Sequence, residues 1–216
     1  ALLVDAPGVV ERNTLVERLW GDEPPATATT ALHVHVSHLR QALEPDLRGG
    51  ACSAIRTAGD GYALEIDRAR IDAERFESLV HDAEELAGVE PEQALGDVDS
   101  ARGLWRGRPW GALADEVWLR SDVARIEELR RRADELWGDV QLALGRHELI
   151  VESLARAVEA EPLREHRCEQ LMLALYRCGR QADALRAFQD ARHTLTEELG
   201  IEPTRVLRAL EQAVLV

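Results

Sequence analysis

Two parts of the chain repeat each other at a spacing of 34 residues. The Gly-Arg pairs at 145–146 and 179–180 each follow an apolar helical stretch and each precede a new one. Leu154 and Phe188 occupy equivalent places in the two copies, on the apolar face of the helix that follows the pair. A period of this length is typical of antiparallel helix pairs, which stack because neither pair can bury its apolar face alone. The repeat therefore predicts an all-α helical repeat domain in the C-terminal part of the chain.

Helical patterning begins well before the repeat, at Ile71. Apolar spacing predicts helices over 72–87, 91–104 and 118–144. Between the last two lies a stretch rich in Gly and Pro that contains Trp105, Trp110 and Trp118. These tryptophans could line a ligand pocket, but aromatic side chains beside chain breakers more often fill the junction between packed layers. We therefore expect an irregular crossing with a core role.

The segment Thr27–Leu43 has the pattern of an amphipathic helix with an unusual polar face. Its apolar face is expected to pack on a core through Leu32, Val36, Leu39 and Leu43. The opposite face lacks carboxylates although the whole chain has a net charge of −14, and it comprises His33, Val34, His35, Ser37, His38, Arg40 and Gln41. A face without acids in an acidic chain suits an acidic partner, most commonly a nucleic-acid backbone.

The neighbouring segments give the order helix, turn, helix, hairpin. A shorter helix with Leu15 and Leu19 at helical spacing precedes Thr27 and ends at Gly21. Two short apolar runs flank the turn at 59–61, which is the pattern of a β-hairpin. This order is that of a winged helix-turn-helix, in which the second helix enters the major groove of DNA and the hairpin, or wing, contacts the flanking backbone.

The charge balance limits how strongly such a domain can bind DNA. Residues 1–68 contain ten acids against six arginines, and the remainder contains thirty acids against twenty arginines. Affinity from phosphate neutralisation is therefore expected to be modest for one copy. It would depend on a few local arginines and on dimerisation or a second partner.

Other classes of protein are disfavoured by composition. No apolar run approaches the ~20 residues of a membrane span, and the first residues lack a secretory signal, so we expect no membrane association and a cytoplasmic location. Cys52, Cys168 and Cys178 are odd in number and lack metal-binding spacing, which favours buried free thiols.

No chemical site is evident in the sequence. It contains no nucleophile motif, no phosphate loop and no paired carboxylates in a glycine-rich setting. His33 and His35 point to different sides of a helix, and His35 and His38 have no third ligand nearby in sequence. We therefore expect no enzyme activity, no metal and no cofactor.

Two domains are expected in a mainly α fold. Residues 1–68 would form the winged helix-turn-helix, and residues 69–216 the helical repeat domain. Ala1 to Val4 has the pattern of the tail of a helix. Because a winged helix of this kind needs elements upstream, we expect the N-terminal domain to be incomplete, without its upstream sheet.

Several ordered stretches also resemble a known family. They span nearly the whole chain and are LVERLWGDEPPATATTALHVHVSHLRQAL, GYALEID, RFESLV, GLWRG, RIEELRRRADE, LALGRH and LREHRCEQLMLALYRCGRQADALRAFQDARHTLTEELGIEPTRVLRALEQAVL. In these stretches the chain resembles the Streptomyces antibiotic regulatory protein (SARP) type of transcriptional regulator. Such proteins join an OmpR-type winged helix to a bacterial transcriptional activator domain (BTAD) of tetratricopeptide-like helices.

The resemblance implies a recognition helix at roughly 28–43 and a wing that together contact DNA. The implied DNA-binding residues are Thr30, Val34, His35, Ser37, His38, Arg40, Gln41, Arg56 and Thr57. Of these, Val34, Ser37 and His38 would lie over base edges, and His35, Arg40 and Gln41 near phosphates. Ser37 and His38 lack the bidentate grip of Arg on guanine, so the helix is expected to discriminate sharply at fewer positions.

Two functional hypotheses follow. In the first, the protein is a transcriptional activator whose winged helix binds double-stranded DNA and whose helical domain forms a homodimer or contacts RNA polymerase. The resemblance implies the binding to promoter repeats and the contact with RNA polymerase. In the second, it is a protein-interaction or sensor module whose winged helix no longer binds DNA. The order of elements favours the first hypothesis, and the weak basicity of the helix at 28–43 favours the second.

Overall fold

The chain forms two compact units, each described here by itself. The computed structural model describes residues 1–44 and 54–216. The first unit comprises residues Ala1–Arg75 and Gly107–Ile126, and the second comprises Phe76–Arg106 and Glu127–Val216. Residues 107–126, which the sequence assigns to the helical part, are thus grouped with the N-terminal unit.

The first unit has the predicted order of helix, turn, helix and hairpin. Its elements are β1 (Val9–Glu11), α1 (Arg12–Trp20), α2 (Ala28–Leu43), β2 (Ile55–Ala58) and β3 (Gly61–Leu64). The three strands form one antiparallel sheet in the order β1-β3-β2. The central strand is β3, and all four of its residues are buried. The mainly α fold with a winged helix-turn-helix is confirmed.

The core of this unit lies between the two helices and the sheet. Its buried members are Val10, Leu15, Leu32, Val36, Ile55, Tyr62 and Leu64. The two residues of α2, Leu32 and Val36, are four apart, and the two residues of β3, Tyr62 and Leu64, are two apart, as burial of one face of each element requires. The sheet and α1 are therefore covered by the apolar face of α2, and the opposite face of α2 is left to solvent.

Two local predictions in this unit are wrong. Leu39 and Leu43 are 49% and 47% exposed instead of buried. The 16-residue α2 is longer than the nine-residue α1 and the strands of three or four residues that share its core, so its last turns extend past the core. Ala1 to Val4 is not helical either, since residues 2–7 form turns. These turns end at Pro7, which lacks the N–H that a continuing helix would need.

The crossing at 107–119 is irregular, as predicted. It contains two 3-10 turns, Gly111–Leu113 and Val117–Leu119, and Trp110 adopts a left-handed backbone conformation with a φ of 62°. The Trp110 side chain donates from Nε1 to Asp122 Oδ2 at 2.5 Å. Trp110 and Trp118 pack against a small core of Ala114, Leu119 and Val123. These two tryptophans fill a junction, as expected for aromatic residues beside chain breakers.

The helical part of the chain follows the predicted repeat. Its helices are α3 (Asp72–Leu86), α4 (Pro91–Gly103), α5 (Arg120–Ala143), α6 (His147–Ala160), α7 (Glu165–Arg177), α8 (Gln181–Leu199) and α9 (Arg205–Leu215). Leu154 of α6 and Phe188 of α8 are 3% and 2% exposed, in one core that also includes residues of α7 and α9. The equivalence of these two positions in the sequence repeat is thus an equivalence in packing.

Each Gly-Arg pair of the repeat forms the same helix end. Gly145 and Gly179 have φ values of 75° and 74°, a left-handed conformation that glycine adopts without a steric penalty. The N–H of the following arginine then bonds back to the helix, from Arg146 to Gln141 O at 3.0 Å and from Arg180 to Leu175 O at 2.9 Å. Such bonds satisfy carbonyls that the end of a helix leaves free. The repeat therefore marks a turn between two helices.

A charged cluster joins α5 to α7. His166 Nε2 lies 2.9 Å from Asp139 Oδ2, and its Nδ1 lies 3.2 Å from Glu169 Oε2. The buried amide of Gln170 donates to Glu135 O at 2.6 Å and to Asp139 Oδ1 at 2.7 Å. The hydrogen bond to Asp139, with lesser help from Glu169, raises the pKa of His166 to about 9. His166 is therefore protonated at neutral pH.

This raised pKa predicts a loss of stability at alkaline pH. The folded pKa of His166 lies above the ordinary value of about 6.5, so its contribution is complete below that pH and disappears as the pH rises through about 9. The side chain is 45% exposed, so we expect the loss to be only about 1 kcal/mol. Denaturant unfolding between pH 6 and 10 should show this component in the unaltered protein. It should be missing in His166→Gln, and an equal component in that variant would contradict the assignment.

The cysteines differ in environment. Cys168 is buried and free, and burial raises its pKa to about 12. Cys178 is free but only half-buried, so the expectation of a buried thiol is wrong there. Cys178 comes directly after the last residue of α7, where the chain turns toward α8 at the surface. Cys52 lies outside the described residues.

Candidate nucleic-acid interface

The acid-free face of α2 is exposed to solvent, as predicted. Its exposed residues are Thr29, Thr30, His33, Val34, His35, Ser37, His38 and Gln41. No Asp or Glu occurs between Ala28 and Leu43. This face therefore presents hydroxyl, imidazole and amide groups together with one valine, and no negative charge.

The orientation of α2 follows from its buried residues. Leu32 and Val36 are each 3% exposed and fix the inward direction of the helix. Val34 is two residues from both, or about 200° around the helix from each, so it lies at the outermost point. By the same angular spacing Thr30, Ser37, His38 and Gln41 lie within about 60° of Val34. We call these five residues the outer stripe.

Arg40 lies beside the core face and connects α2 to the wing. Its Nε donates to Ile55 O at 3.0 Å and its Nη2 donates to Thr57 Oγ1 at 2.9 Å. Its guanidinium also lies 5.9 Å from the centre of the Tyr62 ring. The structure thus brings together two predicted DNA-binding residues, Arg40 and Thr57, in a contact with each other. Arg40 comes four residues after buried Val36, and this spacing in the sequence places it near the core side of α2.

Arg56 of the wing forms an ion pair that the sequence analysis missed. Its Nε lies 2.5 Å from Glu65 Oε1, and the two side chains are 52% and 46% exposed. Glu65 directly follows β3, the strand that pairs with β2, so the hairpin itself places the two groups together. An exposed pair of this kind contributes little to stability and can exchange partners at small cost.

His35 is also partly engaged within the protein. Its ring centre lies 6.1 Å from that of Trp20 at the end of α1. The predicted residues therefore divide into two groups. The outer stripe contains Thr30, Val34, Ser37, His38 and Gln41, whereas His35, Arg40, Arg56 and Thr57 lie at contacts with α1 or within the wing.

The two arginines of α1 also have acidic partners. Arg12 Nη2 lies 2.8 Å from Asp60 Oδ1, and Arg18 pairs with Asp5. These pairs reduce the positive field around the helix, because each cation has a compensating charge in contact. The interface is thus weakly charged, as the acid-to-arginine ratio predicts.

A cleft of about 200 Å³ in the second unit is lined by Phe76, Arg102, Trp105, Arg130 and Asp134. Its two arginines are already engaged within the protein. Arg102 donates to Asp134 Oδ1 at 2.9 Å and lies 4.4 Å from the centre of the Trp137 ring. Arg130 lies 4.6 Å from the centre of the Trp105 ring. The cleft therefore has the composition of a packed polar seam between helices.

Metal and membrane features are missing from the ranges that the structure describes. Nowhere in residues 1–44 and 54–216 do three His, Cys, Asp or Glu side chains come together as metal ligands would. None of the helices in those ranges combines the length and the hydropathy that a bilayer crossing requires.

Comparison with known proteins identifies both parts of the chain. Residues 71–215 match the model of the bacterial transcriptional activator domain, and residues 1–64 match that of the transcriptional regulatory protein C-terminal domain. Regulatory protein DnrI of Streptomyces peucetius is 34% identical over 99% of this chain and 80% of its own length. Transcriptional regulator RedD of Streptomyces coelicolor is 35% identical over 96% of this chain and 59% of its own length. These names describe transcriptional regulators rather than enzymes.

A solved structure agrees with these relatives. Mycobacterium tuberculosis EmbR, in complex with a low-affinity phosphopeptide, superposes with a TM-score of 0.90 and 29% identity. The match covers 99% of this chain and 56% of the EmbR chain. The chain therefore spans little more than half of EmbR and of RedD, and four-fifths of DnrI. With both domains matched in order along nearly its full length, the chain belongs to the SARP family of transcriptional regulators, which join an OmpR-type winged helix to a BTAD.

Proposed function

We propose that the protein is a cytoplasmic transcriptional activator that binds repeats in promoter DNA. Residues 1–68 bind the duplex, with α2 in the major groove and the wing against the flanking backbone. Residues 69–216 form the interaction domain. The observation that carries the proposal is the solvent-exposed face of α2, which is free of acids in a chain with a net charge of −14.

Each predicted residue has a role in contacting DNA. The outer stripe of Thr30, Val34, Ser37, His38 and Gln41 faces base edges. Gln41 was expected near phosphates, but it lies on the same side of the helix as Val34. His35, Arg40, Arg56 and Thr57 lie at its margins and contact phosphates. Arg40 does so from its position between α2 and β2, while it holds the wing in place. Arg56 does so by exchanging its exposed partner Glu65 for a phosphate.

The helical domain supplies the remaining partners. One weakly charged DNA-binding domain gains little affinity from phosphate neutralisation. Two copies on adjacent repeats would therefore provide the affinity that one copy lacks. We therefore propose a homodimer on DNA. Stacked helix pairs also present extended surfaces to other proteins, and we propose that one of these surfaces contacts RNA polymerase.

The wing provides a direct test of DNA binding. Duplexes are first selected from a random-sequence library by the unaltered protein, and the affinity for the selected duplex is then measured against salt concentration. For Arg56→Ala we expect weaker binding and a salt slope reduced by about 1, because one phosphate contact is lost. For Glu65→Gln we expect tighter binding, because Arg56 loses its competing partner and a negative charge is removed.

Arg156→Ala is the matched control. Arg156 also pairs with a glutamate of its own structural element, Glu152 at 3.2 Å, but it lies on α6 in the second unit. We expect its affinity and its salt slope to equal those of the unaltered protein. Failure of the library to yield any enriched sequence would overturn the proposal. Equal salt slopes for Arg56→Ala and Arg156→Ala would remove Arg56 from the interface.

A second candidate function is a protein-interaction or sensor module without DNA binding. The internal engagement of Arg40 with Ile55 and Thr57, and of Arg56 with Glu65, favours this candidate. These contacts occupy cations that a phosphate would otherwise attract. The library selection separates the two candidates, because only the DNA-binding regulator enriches a sequence whose affinity falls with salt.

A further inference from the structure

We propose that the outer stripe of α2 recognises A·T base pairs, with Val34 packed against a thymine methyl group and Gln41 bonded to an adenine. This inference rests on the proposed DNA binding and specifies its chemistry. It follows from the side chains that the helix presents and from those that it lacks. The deciding property of the stripe is that it contains neither a guanidinium nor a carboxylate.

The groups that recognise guanine and cytosine most strongly are not in the stripe. In the major groove, guanine presents two acceptors, to which Arg or Lys can donate two hydrogen bonds at once. Cytosine presents an amino group, which donates to the carboxylate of Asp or Glu. The one arginine of α2 is Arg40, whose Nε and Nη2 already donate to Ile55 O and Thr57 Oγ1. No acid lies between Ala28 and Leu43. The helix therefore lacks the strong bidentate and acceptor contacts that select a G·C pair.

Val34 supplies the contact that thymine offers. Thymine is the base with a methyl group in the major groove, and apolar side chains recognise it by packing against that methyl. Val34 is 47% exposed at the outermost point of the stripe, between Thr30 and Ser37. Contact with a methyl group would remove its apolar surface from water, which is favourable.

Gln41 supplies the complementary contact to adenine. A Gln amide can accept from the adenine amino group and donate to adenine N7 at the same time. Gln41 lies seven residues after Val34, which places it about 20° from Val34 around the helix and about 10.5 Å along it. For a helix that follows the groove, this distance corresponds to about three base-pair steps at ~3.4 Å each.

The other large apolar residues exposed on α2 do not share this position. Leu39 and Leu43 are exposed as well, at 49% and 47%. They lie about 140° and 180° around the helix from Val34, on the side of the core and past its end. Val34 is therefore the apolar contact of the stripe, and Leu39 and Leu43 take no part in base recognition.

The test uses base analogues in the selected duplex. Each thymine is replaced in turn by deoxyuridine, which differs only in lacking the methyl group. At one position we expect the affinity of the unaltered protein to fall about fourfold, the value of one buried methyl group. Val34→Ala should bind the thymine duplex about as weakly and should be insensitive to deoxyuridine at that position. Gln41→Ala should lose about fivefold to a hundredfold in discrimination at an adenine about three base pairs away.

Val206→Ala is the matched control, because Val206 is also exposed, at 63%, on α9 of the second unit. It should retain the full response to deoxyuridine. A selected sequence with G·C pairs at the positions sensitive to Val34 and Gln41 would overturn the inference and leave the proposed function intact. So would a Val34→Ala variant that responds to deoxyuridine as the unaltered protein does. Failure to select any sequence would instead overturn the proposed function itself.

Discussion

Replacing Phe188 by alanine is expected to lower the free energy of unfolding of the helical unit by about 3 to 5 kcal/mol. Phe188 is 2% exposed and belongs to a buried cluster that draws residues from α6, α7, α8 and α9. Truncation removes the ring from this cluster and leaves a cavity that the surrounding helices can only partly close. Since small domains are stable by about 5 to 15 kcal/mol, this loss is a large share of the total.

Denaturant unfolding followed by circular dichroism measures this change. Leu149→Ala is the matched control, because Leu149 is also a large apolar residue in the repeat but is 79% exposed on α6. Its effect is expected to stay within about 0.5 kcal/mol. Equal losses for the two variants would show that the core of the repeat is not where the structure places it.

Replacing Gly61 by alanine is expected to unfold or severely weaken the sheet of the first unit. A Cβ added at Gly61 would lie 2.3 Å from Val10 O and 2.9 Å from Val10 C. Both are backbone atoms of the neighbouring strand β1, so the clash cannot be relieved by rotating a side chain. We expect a loss of about 3 kcal/mol, the upper end of the usual cost of overpacking.

Hydrogen exchange followed by mass spectrometry locates this effect. Amides of β1 and β3 should exchange faster in Gly61→Ala, while those of α6 to α8 should be unchanged, and DNA binding should be lost. Gly96→Ala is the contrast, since a Cβ there has no atom within 4 Å and alanine favours the helix α4 by about 0.5 to 1 kcal/mol. Unchanged exchange in β1 and β3 would contradict the close approach at Gly61.

The order of elements was predictable because it depends on local patterns. The spacing of Leu32 and Val36, the turn at 59–61 and the 34-residue repeat each specify an element from residues close in sequence. The structure confirms the fold that they predict. The same patterns gave the exposed, acid-free side of α2, because residues opposite a buried pair must face solvent.

The contacts and exposures that the sequence did not predict depend on tertiary packing. Arg40 bonds to Ile55 and Thr57, which are 15 and 17 residues away, so the contact depends on how the hairpin lies against α2. The exposure of Leu39 and Leu43 depends on where the short sheet ends, which helical periodicity does not encode. The ion pair between Arg56 and Glu65 depends on the strand register.

In the proposed complex, the hydrogen bonds of Arg40 restrict the shape of DNA that α2 and the wing can accept. They join α2 to β2 and so restrain the distance between the helix and the wing. A duplex with a groove too narrow or too wide for this distance would have to deform, or the contact would have to break. Sequence-dependent groove width, which is set by the stiffness of base-pair steps that no side chain touches, would then contribute to the choice of site.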